Sequence, residues 1–396
     1  MNPAIDLAAL PPNARRLLLH LMENGPTHRA DLARALDVSR TTITNLTTGL
    51  QKDQLVEVIN PEASLLKRPL ATTAHLGTLV SIVFFGEVCA QSITTIDVRY
   101  LHESTCEVDD SLPPAKRLET ALEILKDSYR ELDLDLQAIR GIHLALDTQV
   151  NTETGDIHAE QASARWYGVN PLQALHQDFD VPVVLENSVR LAGLAEALWG
   201  AGEKYRDVLY VRIKIGATCS HVRDRAIASG AHGGAGELGH LVYRWDGPLC
   251  ACGNRGCAME YMSVPALLRD YRQHSGEDVT WSEFVKRAHA GDPIATELSE
   301  DAAVVCARTL VNVTHILDPQ AIIINDTGVA KLPGFIAQVR SHLTERALPL
   351  IGRNVEVIPS TLPNMVESTA RAGIHTLRHH PQVQAAIGAN GGGASV

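Results

Sequence analysis

The sequence predicts an α/β protein with a small helical module at its N-terminal end. From about His75 onward, short apolar runs typical of buried strands alternate with amphipathic helical patterns, which is the arrangement of sheets covered by helices. Before His75, three helical patterns follow one another with tight turns between them. The chain has 396 residues, which is enough for two or three domains.

Composition and charge argue against several classes of protein. The hydrophobic content of 45% is that of a globular chain, and no apolar run approaches the ~18 residues of a membrane helix. The N-terminus shows no secretory leader, and seven cysteines, three of them clustered, fit a reducing compartment, so we expect a cytoplasmic protein. Residues 1–75 hold eight Lys and Arg against seven Asp and Glu, whereas the whole chain carries −11. An acidic body with a near-neutral module permits local DNA binding and disfavours unspecific binding.

The N-terminal module has the pattern of a helix-turn-helix. A first helix is predicted over Ala14–Asn24, and Gly25-Pro26 ends it. Thr27 is the predicted N-cap of a second helix. After a tight turn, Ser39 is the predicted N-cap of a third helix that runs to about Asp53. A short helix, a tight turn and a helix with an exposed polar start are typical of DNA-binding domains.

Polar residues on the outer, N-terminal part of the third helix are the candidate DNA-reading residues: Arg40, Thr41, Thr42, Thr44 and Asn45. Arg and Asn bond guanine and adenine edges in a major groove, and Thr contacts phosphate or a thymine methyl group. Leu55–Ile59 then predicts a strand, Asn60-Pro61 a turn, and Lys67-Arg68-Pro69 the tip or return of a wing, from which Arg68 can enter a minor groove. The alternative is a solvated three-helix packing domain.

The body is predicted as an alternation of strands and helices. The expected strands are Leu79–Phe85, Ile93–Val98, Gly141–Leu146, Val181–Leu185, Val208–Ile215 and Ala321–Ile324. The expected helices are Ala115–Glu131, Ser188–Gly200, Leu298–Leu317, Gly334–Arg346 and Glu367–Leu377. The tail from Pro381, which contains a run of Gly, Ala and Asn, is expected to be disordered.

One short stretch predicts a metal site. His240, Cys250, Cys252 and Cys257 lie close together among glycines that let the chain turn sharply. Three thiolates and one imidazole are the donor set of a closed, structural Zn²⁺ site. The alternative is a set of buried small hydrophobic residues, although such residues have no reason to cluster beside glycines. Zinc can order a loop that has little core of its own.

The run GELGH followed by Cys-Ala-Cys-Gly-x-x-Gly-Cys resembles the ROK family of repressors, open reading frames and sugar kinases. This resemblance implies a two-lobed, actin-like sugar-kinase body, with zinc held by the His and three Cys. It also implies that Glu237 hydrogen-bonds sugar hydroxyls and that His240 is oriented there too. The N-terminal region is similar to the winged helix-turn-helix of the repressor branch, with Lys67 in place of a Gly.

The same resemblance sets the expected domain boundaries: a winged helix-turn-helix over 1–74, a first lobe over 75–190, a second lobe with the zinc loop over 191–380, and a tail over 381–396. The last helix is expected to return to the first lobe.

The parts that phosphate transfer needs in this family are missing. The first phosphate hairpin, Asp-x-Gly-Gly-Thr, corresponds to 79–85, which has neither the Asp nor the Gly pair. The second loop keeps only Gly216, and the third corresponds to Asn325-Asp326. The general-base Asp is replaced by Ser188, which cannot accept a proton at neutral pH. We therefore expect no catalytic residue and no ATP.

The sugar-side residues are mixed. Asn187, Glu237 and His240 stand in place, whereas Ala162 and Met259 replace an expected Asn and Glu. The Pro-Gly turn after the third strand is Asp147-Thr148. Because a polyol pocket relies on many hydrogen bonds, the effector is not an ordinary hexose, or the pocket is vestigial.

These observations favour a transcriptional regulator, a repressor, whose inactive kinase-like body binds a sugar or phosphosugar effector. A homodimer or homotetramer would place paired modules on a near-palindromic site in double-stranded DNA. Two alternatives stay open: an active hexose or N-acetylhexosamine kinase with an N-terminal appendage, and a regulator whose body binds a protein partner instead of a sugar.

Overall fold

The structure, a computed structural model, describes residues 7–60, 62, 68–157 and 166–387. Its N-terminal module contains helices α1 (Pro12–Asn24), α2 (Arg29–Leu36) and α3 (Arg40–Lys52), followed by strands β1 (Val56–Val58) and β2 (Leu70–Thr72). The strands form an antiparallel pair. Apolar side chains from the three helices and both strands form one core, with Leu17, Leu18, Leu21, Leu32, Ile43, Val56 and Leu70 almost fully buried.

The starts of α2 and α3 differ in how their first amide groups are satisfied. Ser39 caps α3, since its Oγ accepts a hydrogen bond from the Thr42 amide at 3.0 Å, as predicted. Thr27 is not the cap of α2, because that helix begins after His28 without a side-chain cap. Thr27 instead exchanges two backbone hydrogen bonds of 2.9 Å with Leu70 of β2. A distant strand therefore overrides the local capping preference.

The wing expected after α3 is described only in part. The strand predicted over Leu55–Ile59 is β1, and the chain returns through β2. Asn60 has a positive φ of 56°, as a turn residue can adopt. Lys67 lies outside the described residues, and Arg68 is half-buried just before β2.

The first five-stranded sheet follows the module. Its strands are β3 (Thr78–Phe85), β4 (Val88–Thr95), β5 (Tyr100–Glu107), β6 (Ile139–Leu146) and β7 (Val183–Asn187). The order across the sheet is β5-β4-β3-β6-β7, in which β3, β6 and β7 run parallel and the other pairs are antiparallel. The predicted strand over Ile93–Val98 is wrong at its end, since β4 stops at Thr95 where the chain turns. Helix α4 (Pro114–Glu131) covers one face, and α5 (Pro171–Asp178) precedes β7.

Helix α6 (Ser188–Trp199) links the first sheet to a second one, which consists of β8 (Asp207–Ile213), β9 (Ala217–Arg223), β10 (Ala226–Ile227), β11 (Ala321–Ile324) and β12 (Glu356–Pro359). The order is β10-β9-β8-β11-β12. The helices that accompany it are α7 (Met259–Met262), α8 (Val264–Ser275), α9 (Trp281–His289), α10 (Pro293–Leu317), α11 (Phe335–Arg346) and α12 (Pro349–Gly352). Two sheets, each with its own buried core, therefore form the two-lobed α/β body.

Helices α13 (Met365–His379) and α14 (Pro381–Ala386) return to the first sheet and the module. Helix α13 packs on β3, β4, β6 and α6. Gly373 permits this approach, because a Cβ there would lie 2.1 Å from the Ser81 hydroxyl. No helix among the described residues is long and apolar enough to span a bilayer.

The expectation that the tail is disordered from Pro381 is corrected for its first residues. Val383 of α14 is fully buried against Gly141 and Leu377, and Ile387 packs in the core of the N-terminal module. These contacts come from residues far away in sequence, which local composition does not reveal. Residues 388–396 lie outside the described part of the chain.

Candidate metal centre and cleft

The loop after β10 brings four metal-binding side chains together. His240 ends a 3-10 turn over Leu238–His240, and Cys257 lies just before α7. Isolated bridges join Val242 to Cys257 and Leu249 to Arg255, which fold the loop back on itself. Cys250 donates its amide to the Asn254 carbonyl at 2.8 Å, so the turn that carries Cys250 and Cys252 is closed by backbone bonds.

The distances between the donor atoms fit zinc. His240 Nδ1 lies 3.7 Å from Cys250 Sγ, and the Sγ atoms of Cys252 and Cys257 are 3.6 Å apart. All four donor atoms lie within 4.8 Å of one another. In a tetrahedral zinc site, neighbouring donors are separated by about 3.5–3.8 Å, so the cluster is already close to that geometry. Burial lowers the pKa of His240, which favours the neutral imidazole that a metal requires.

Two glycines make this loop sterically possible. Gly256 has a φ of +68°, and a Cβ there would lie 1.4 Å from the Arg244 carbonyl oxygen. Gly236 has a φ of +96°, and a Cβ there would lie 2.1 Å from the Cys219 carbonyl oxygen of β9. A side chain at Gly236 would push the loop away from β9, and one at Gly256 would clash with Arg244 inside the loop.

Glu237 precedes the His240 turn and lies beside Arg190 of α6. Burial raises the pKa of Glu237, while the Arg190 charge and a hydrogen bond with Gln149 oppose that rise. Arg190 is almost fully buried, and its Nη1 donates to the Ala235 carbonyl at 2.8 Å. This arginine therefore ties α6 to the loop that carries Glu237.

The carboxylate of Glu186 accepts three hydrogen bonds from groups within the protein. Its Oε1 accepts from Arg190 Nε at 2.7 Å and from the Asn187 amide at 2.6 Å, and its Oε2 accepts from Ser229 Oγ at 2.7 Å. Both Glu186 oxygens are therefore already hydrogen-bonded within the protein.

Asn187 is mainly a helix cap. Its Oδ1 accepts from the amides of Val189 and Arg190, at 2.9 and 3.2 Å, and its Nδ2 donates to the Thr148 carbonyl at 2.9 Å. Only one amide hydrogen remains to contact a ligand. Asn187 therefore has little hydrogen-bonding capacity left for a ligand.

The turn between β3 and β4 is closed by a side chain of the protein. The Gly86 amide donates to Asp147 Oδ2 at 2.8 Å, and Trp166 Nε1 donates to Asp147 Oδ1 at 2.7 Å. The buried Arg117 guanidinium donates to the Gly86 carbonyl and stacks over Trp166 at 4.6 Å. A phosphate that needed this turn amide would have to displace a carboxylate that is already bound to it.

The segments that correspond to the other two phosphate loops and to the general base are also tight turns or have buried side chains. Lys214 donates its amide to the Gly216 carbonyl at 2.9 Å, so β8 and β9 are joined by a tight turn. Asn325 is buried, and its Oδ1 accepts from the Thr327 amide at 3.1 Å. Ser188 is fully buried, in the first turn of α6. Among the described residues, these segments offer no glycine-rich cradle for a nucleotide.

The two residues that replace expected sugar-binding residues, Ala162 and Met259, lie in different parts of the chain. Glu260, one residue after Met259, is held by Arg269 at 3.0 Å, and Ala162 lies outside the described residues. A cavity of about 1240 Å³ is lined by Glu186 and Ser229, but not by Asn187, Glu237 or His240. Sequence reasoning missed that Asp147 binds the β3–β4 turn and that Arg190 ties α6 to the loop carrying Glu237. The i,i+4 spacing of Glu186 and Arg190 was the one local indication.

The surface proposed to read DNA is largely solvent-exposed. Arg40, Thr41, Thr44 and Asn45 are exposed on α3. Thr42 is half-buried, and its hydroxyl lies 2.8 Å from Ser39 Oγ, so it belongs to the helix cap. The Thr44 hydroxyl donates to the Arg40 carbonyl at 3.0 Å, which leaves its oxygen and methyl group for a partner.

Comparison with known proteins places this body in a known group. The sequence profile of the ROK family matches residues 78–371. The xylose repressor of Bacillus spizizenii is 22% identical over 353 residues, which cover 88% of this chain and 91% of that protein.

Solved structures share the fold. A ROK family transcriptional regulator described as a homolog of the Escherichia coli MLC protein superposes with a TM-score of 0.70 at 20% identity, covering 95% of this chain and 98% of that one. The ROK hexokinase of Thermus thermophilus superposes with a TM-score of 0.63 at 22% identity, covering 75% of this chain and 97% of that one. The body therefore has the fold that regulators and sugar kinases of this family share.

Proposed function

The chain belongs to the ROK family, and we propose that it is a DNA-binding transcriptional regulator, a repressor, whose body senses a ligand without transferring phosphate. The observation that carries this proposal is a helix-turn-helix module attached to a ROK body whose phosphate turn is closed by Asp147. The likeness to the xylose repressor spans more of this chain than the ROK profile does, which supports a regulator that includes the module.

In this proposal, α3 reads the major groove through Arg40, Thr41, Thr44 and Asn45, and Arg68 contacts DNA beside the wing. Thr42 contributes by capping α3. Binding of the protein to its own upstream DNA, measured by gel shift at moderate salt, tests this directly. Arg40→Ala should weaken specific binding by about 1–3 kcal/mol, or roughly 5- to 150-fold.

Arg34→Ala is the matched control for that experiment. Arg34 is exposed on α2 and pairs with Asp31, so its removal changes the net charge equally without changing α3. An equal loss for both variants, or no shift with any upstream fragment, would contradict the proposed reading helix.

We also propose that the body has no kinase activity. Ser188 replaces the base, Glu186 is held by Arg190, and Asp147 holds the Gly86 amide. ATP consumption with pentoses, hexoses and N-acetylhexosamines should remain at the level of a sugar-free control. Sugar-dependent turnover above that level would identify the protein as a kinase.

The proposed effector is a sugar or phosphosugar that contacts Glu237, the remaining hydrogen of Asn187, and the unligated nitrogen of His240. A ligand that binds only the folded state raises the melting temperature, so a thermal-shift screen tests whether one exists. Glu237→Gln should abolish the shift, whereas Glu300→Gln, an exposed change on α10, should preserve it. A DNA response that survives Glu237→Gln would point to another site or to a protein partner.

Structural zinc is the metal that we propose for His240, Cys250, Cys252 and Cys257, where it would hold the loop that carries Glu237 in place. A homodimer or homotetramer is the proposed assembly, supported by exposed apolar side chains at Ile316, Leu348 and Leu350. Such an assembly pairs two modules on near-palindromic double-stranded DNA. Light scattering of the zinc-loaded protein measures the subunit number. A cytoplasmic site of action belongs to the same proposal.

A further inference from the structure

Two cysteines outside the metal loop face each other across neighbouring strands. Cys89 of β4 lies directly opposite Cys106 of β5 in the antiparallel register. Both side chains pack in the core of the first sheet, and the Cys106 thiol donates to the Cys89 carbonyl oxygen, with Sγ 3.6 Å from that oxygen. Directly opposed residues in such a pair have Cα atoms about 4.5–5.5 Å apart, within the range that a disulfide bridges.

The two thiols differ in accessibility. Cys89 is fully buried in the core under α4, whereas Cys106 is only partly buried on β5, which is the edge strand of the first sheet. A small oxidant can therefore reach Cys106, whereas the neighbouring Cys89 is shielded from solvent. This combination of an accessible thiol and an adjacent second thiol is typical of redox-active cysteine pairs.

We propose that Cys106 and Cys89 form a reversible oxidation site that reacts with hydrogen peroxide. The Cys106 thiolate attacks one peroxide oxygen, the O–O bond breaks, and hydroxide leaves, which yields a sulfenic acid. The Cys89 sulfur then attacks the Cys106 sulfur, the S–O bond breaks, and water leaves with the Cys89 proton. Overall, two thiols and one hydrogen peroxide give one disulfide and two waters, because the proton that the Cys106 thiol releases on ionising converts the leaving hydroxide to the second water.

The electrostatics of the pair agree with this order of events. A hydrogen bond from Cys89 lowers the pKa of Cys106 to about 7, against the opposing effect of burial. The pKa of Cys89 is raised by its interaction with the Cys106 thiol, by burial and by the Cys106 charge, and Gln91 and Arg117 oppose this rise. Oxidation of Cys106 removes its negative charge, which is one of the effects that raise the pKa of Cys89. Cys89 is therefore easier to deprotonate when it attacks the sulfenic acid.

The site lies in the hairpin that contacts the N-terminal module. At the far end of β4–β5, Asp97 Oδ2 accepts from the Thr72 amide at 3.0 Å, and Arg99 donates to the Thr72 carbonyl at 2.7 Å. The disulfide would tie the edge strand covalently to β4 within this hairpin.

The test uses the full-length, zinc-loaded protein and a stoichiometric amount of hydrogen peroxide, followed by alkylation of free thiols and non-reducing peptide mapping. We expect a linked Cys89–Cys106 peptide that dithiothreitol reverses. Cys219 and Cys306 are internal controls, because burial raises the pKa of both to about 12. We expect Cys106 to react at least ten times faster than either. Zinc release, followed with a chromogenic chelator, reports oxidation of the metal loop separately.

Two variants define the roles of the pair. Cys89→Ser should leave a sulfenic acid on Cys106 that dimedone traps, whereas Cys106→Ser should leave Cys89 reduced. The wild-type map does not depend on either variant folding. The proposal is overturned if Cys106 stays reduced while Cys219 or Cys306 oxidises, or if Cys106 oxidises without ever linking to Cys89.

Discussion

His143 gives the protein a pH dependence of stability that can be worked out from its surroundings. The imidazole lies on β6 beneath Gly373 of α13, where a Cβ would approach its ring to 3.1 Å. It is fully buried, and neither ring nitrogen has a hydrogen-bond partner among the described residues. Burial, and secondarily His380, lower its pKa from 6.5 to about 3. The folded protein therefore keeps this imidazole neutral in mild acid.

The sign follows from the difference between the folded and unfolded states. Between pH 6.5 and about 3, the unfolded chain binds a proton at His143 and the folded chain does not, so stability falls as the pH falls. Between pH 7 and pH 5 this single group should cost about 2 kcal/mol of unfolding free energy, since each unit of pH below 6.5 contributes about 1.4 kcal/mol. This figure holds for any folded-state pKa well below 5.

Urea unfolding of zinc-saturated protein at pH 7 and pH 5 measures the effect. Between pH 7 and pH 5, the unfolding free energy of His143→Leu should fall by about 2 kcal/mol less than that of wild type. His232→Leu, a change at an exposed loop position, should lose as much unfolding free energy as wild type. Any contribution from the proposed zinc site or from His375 is common to all three proteins and cancels in the comparison. Equal losses in wild type and His143→Leu would refute the reasoning.

Three further changes test other parts of the molecule. Cys252→Ser should reduce bound zinc from one ion per chain to a small fraction, measured by elemental analysis after desalting, and a fully loaded variant would exclude the proposed donor set. Ser188→Asp should not create sugar phosphorylation, because Asp147 still holds the Gly86 amide; measurable turnover in a coupled ATP assay would show that the cleft can still bind nucleotide. Arg378→Met should destabilise the N-terminal module, because Arg378 donates to the Met22 and Glu23 carbonyls at the end of α1. The expected result is a lower melting temperature and faster proteolytic cleavage within the module. An unchanged cleavage rate would argue against that anchor.

Local patterns predicted the parts of the fold that depend on near neighbours. Ser39 caps α3 because its acceptor and the Thr42 amide are three residues apart. The metal donors are confined to a short loop, so their spacing alone indicates that they converge. Strand β11 was predicted with the observed bounds, Ala321–Ile324, because it is a fully buried apolar run.

Contacts over long sequence distances could not be predicted in this way. Strand β5 was missed because it is a polar edge strand, and only its pairing with β4 identifies it. Helix α14 was missed because the burial of Val383 depends on Gly141, which lies far away in the chain. Asp147 stands where a Pro-Gly turn was expected. Nothing in its own segment shows that it binds the Gly86 amide, 61 residues earlier.

The attachment of the N-terminal module explains how the body can act on it. Arg378 at the end of α13 holds α1, Asp97 in the β4–β5 turn holds Thr72, and Ile387 after α14 enters the module core. Helix α13 also packs on α6, the helix that begins beside the cleft and carries Arg190. Because α13 contacts both α6 and the end of α1, a ligand that moved α6 and α13 together would either shift α1 or break its anchor. The proposed sensing by the body therefore needs no separate linker to reach DNA.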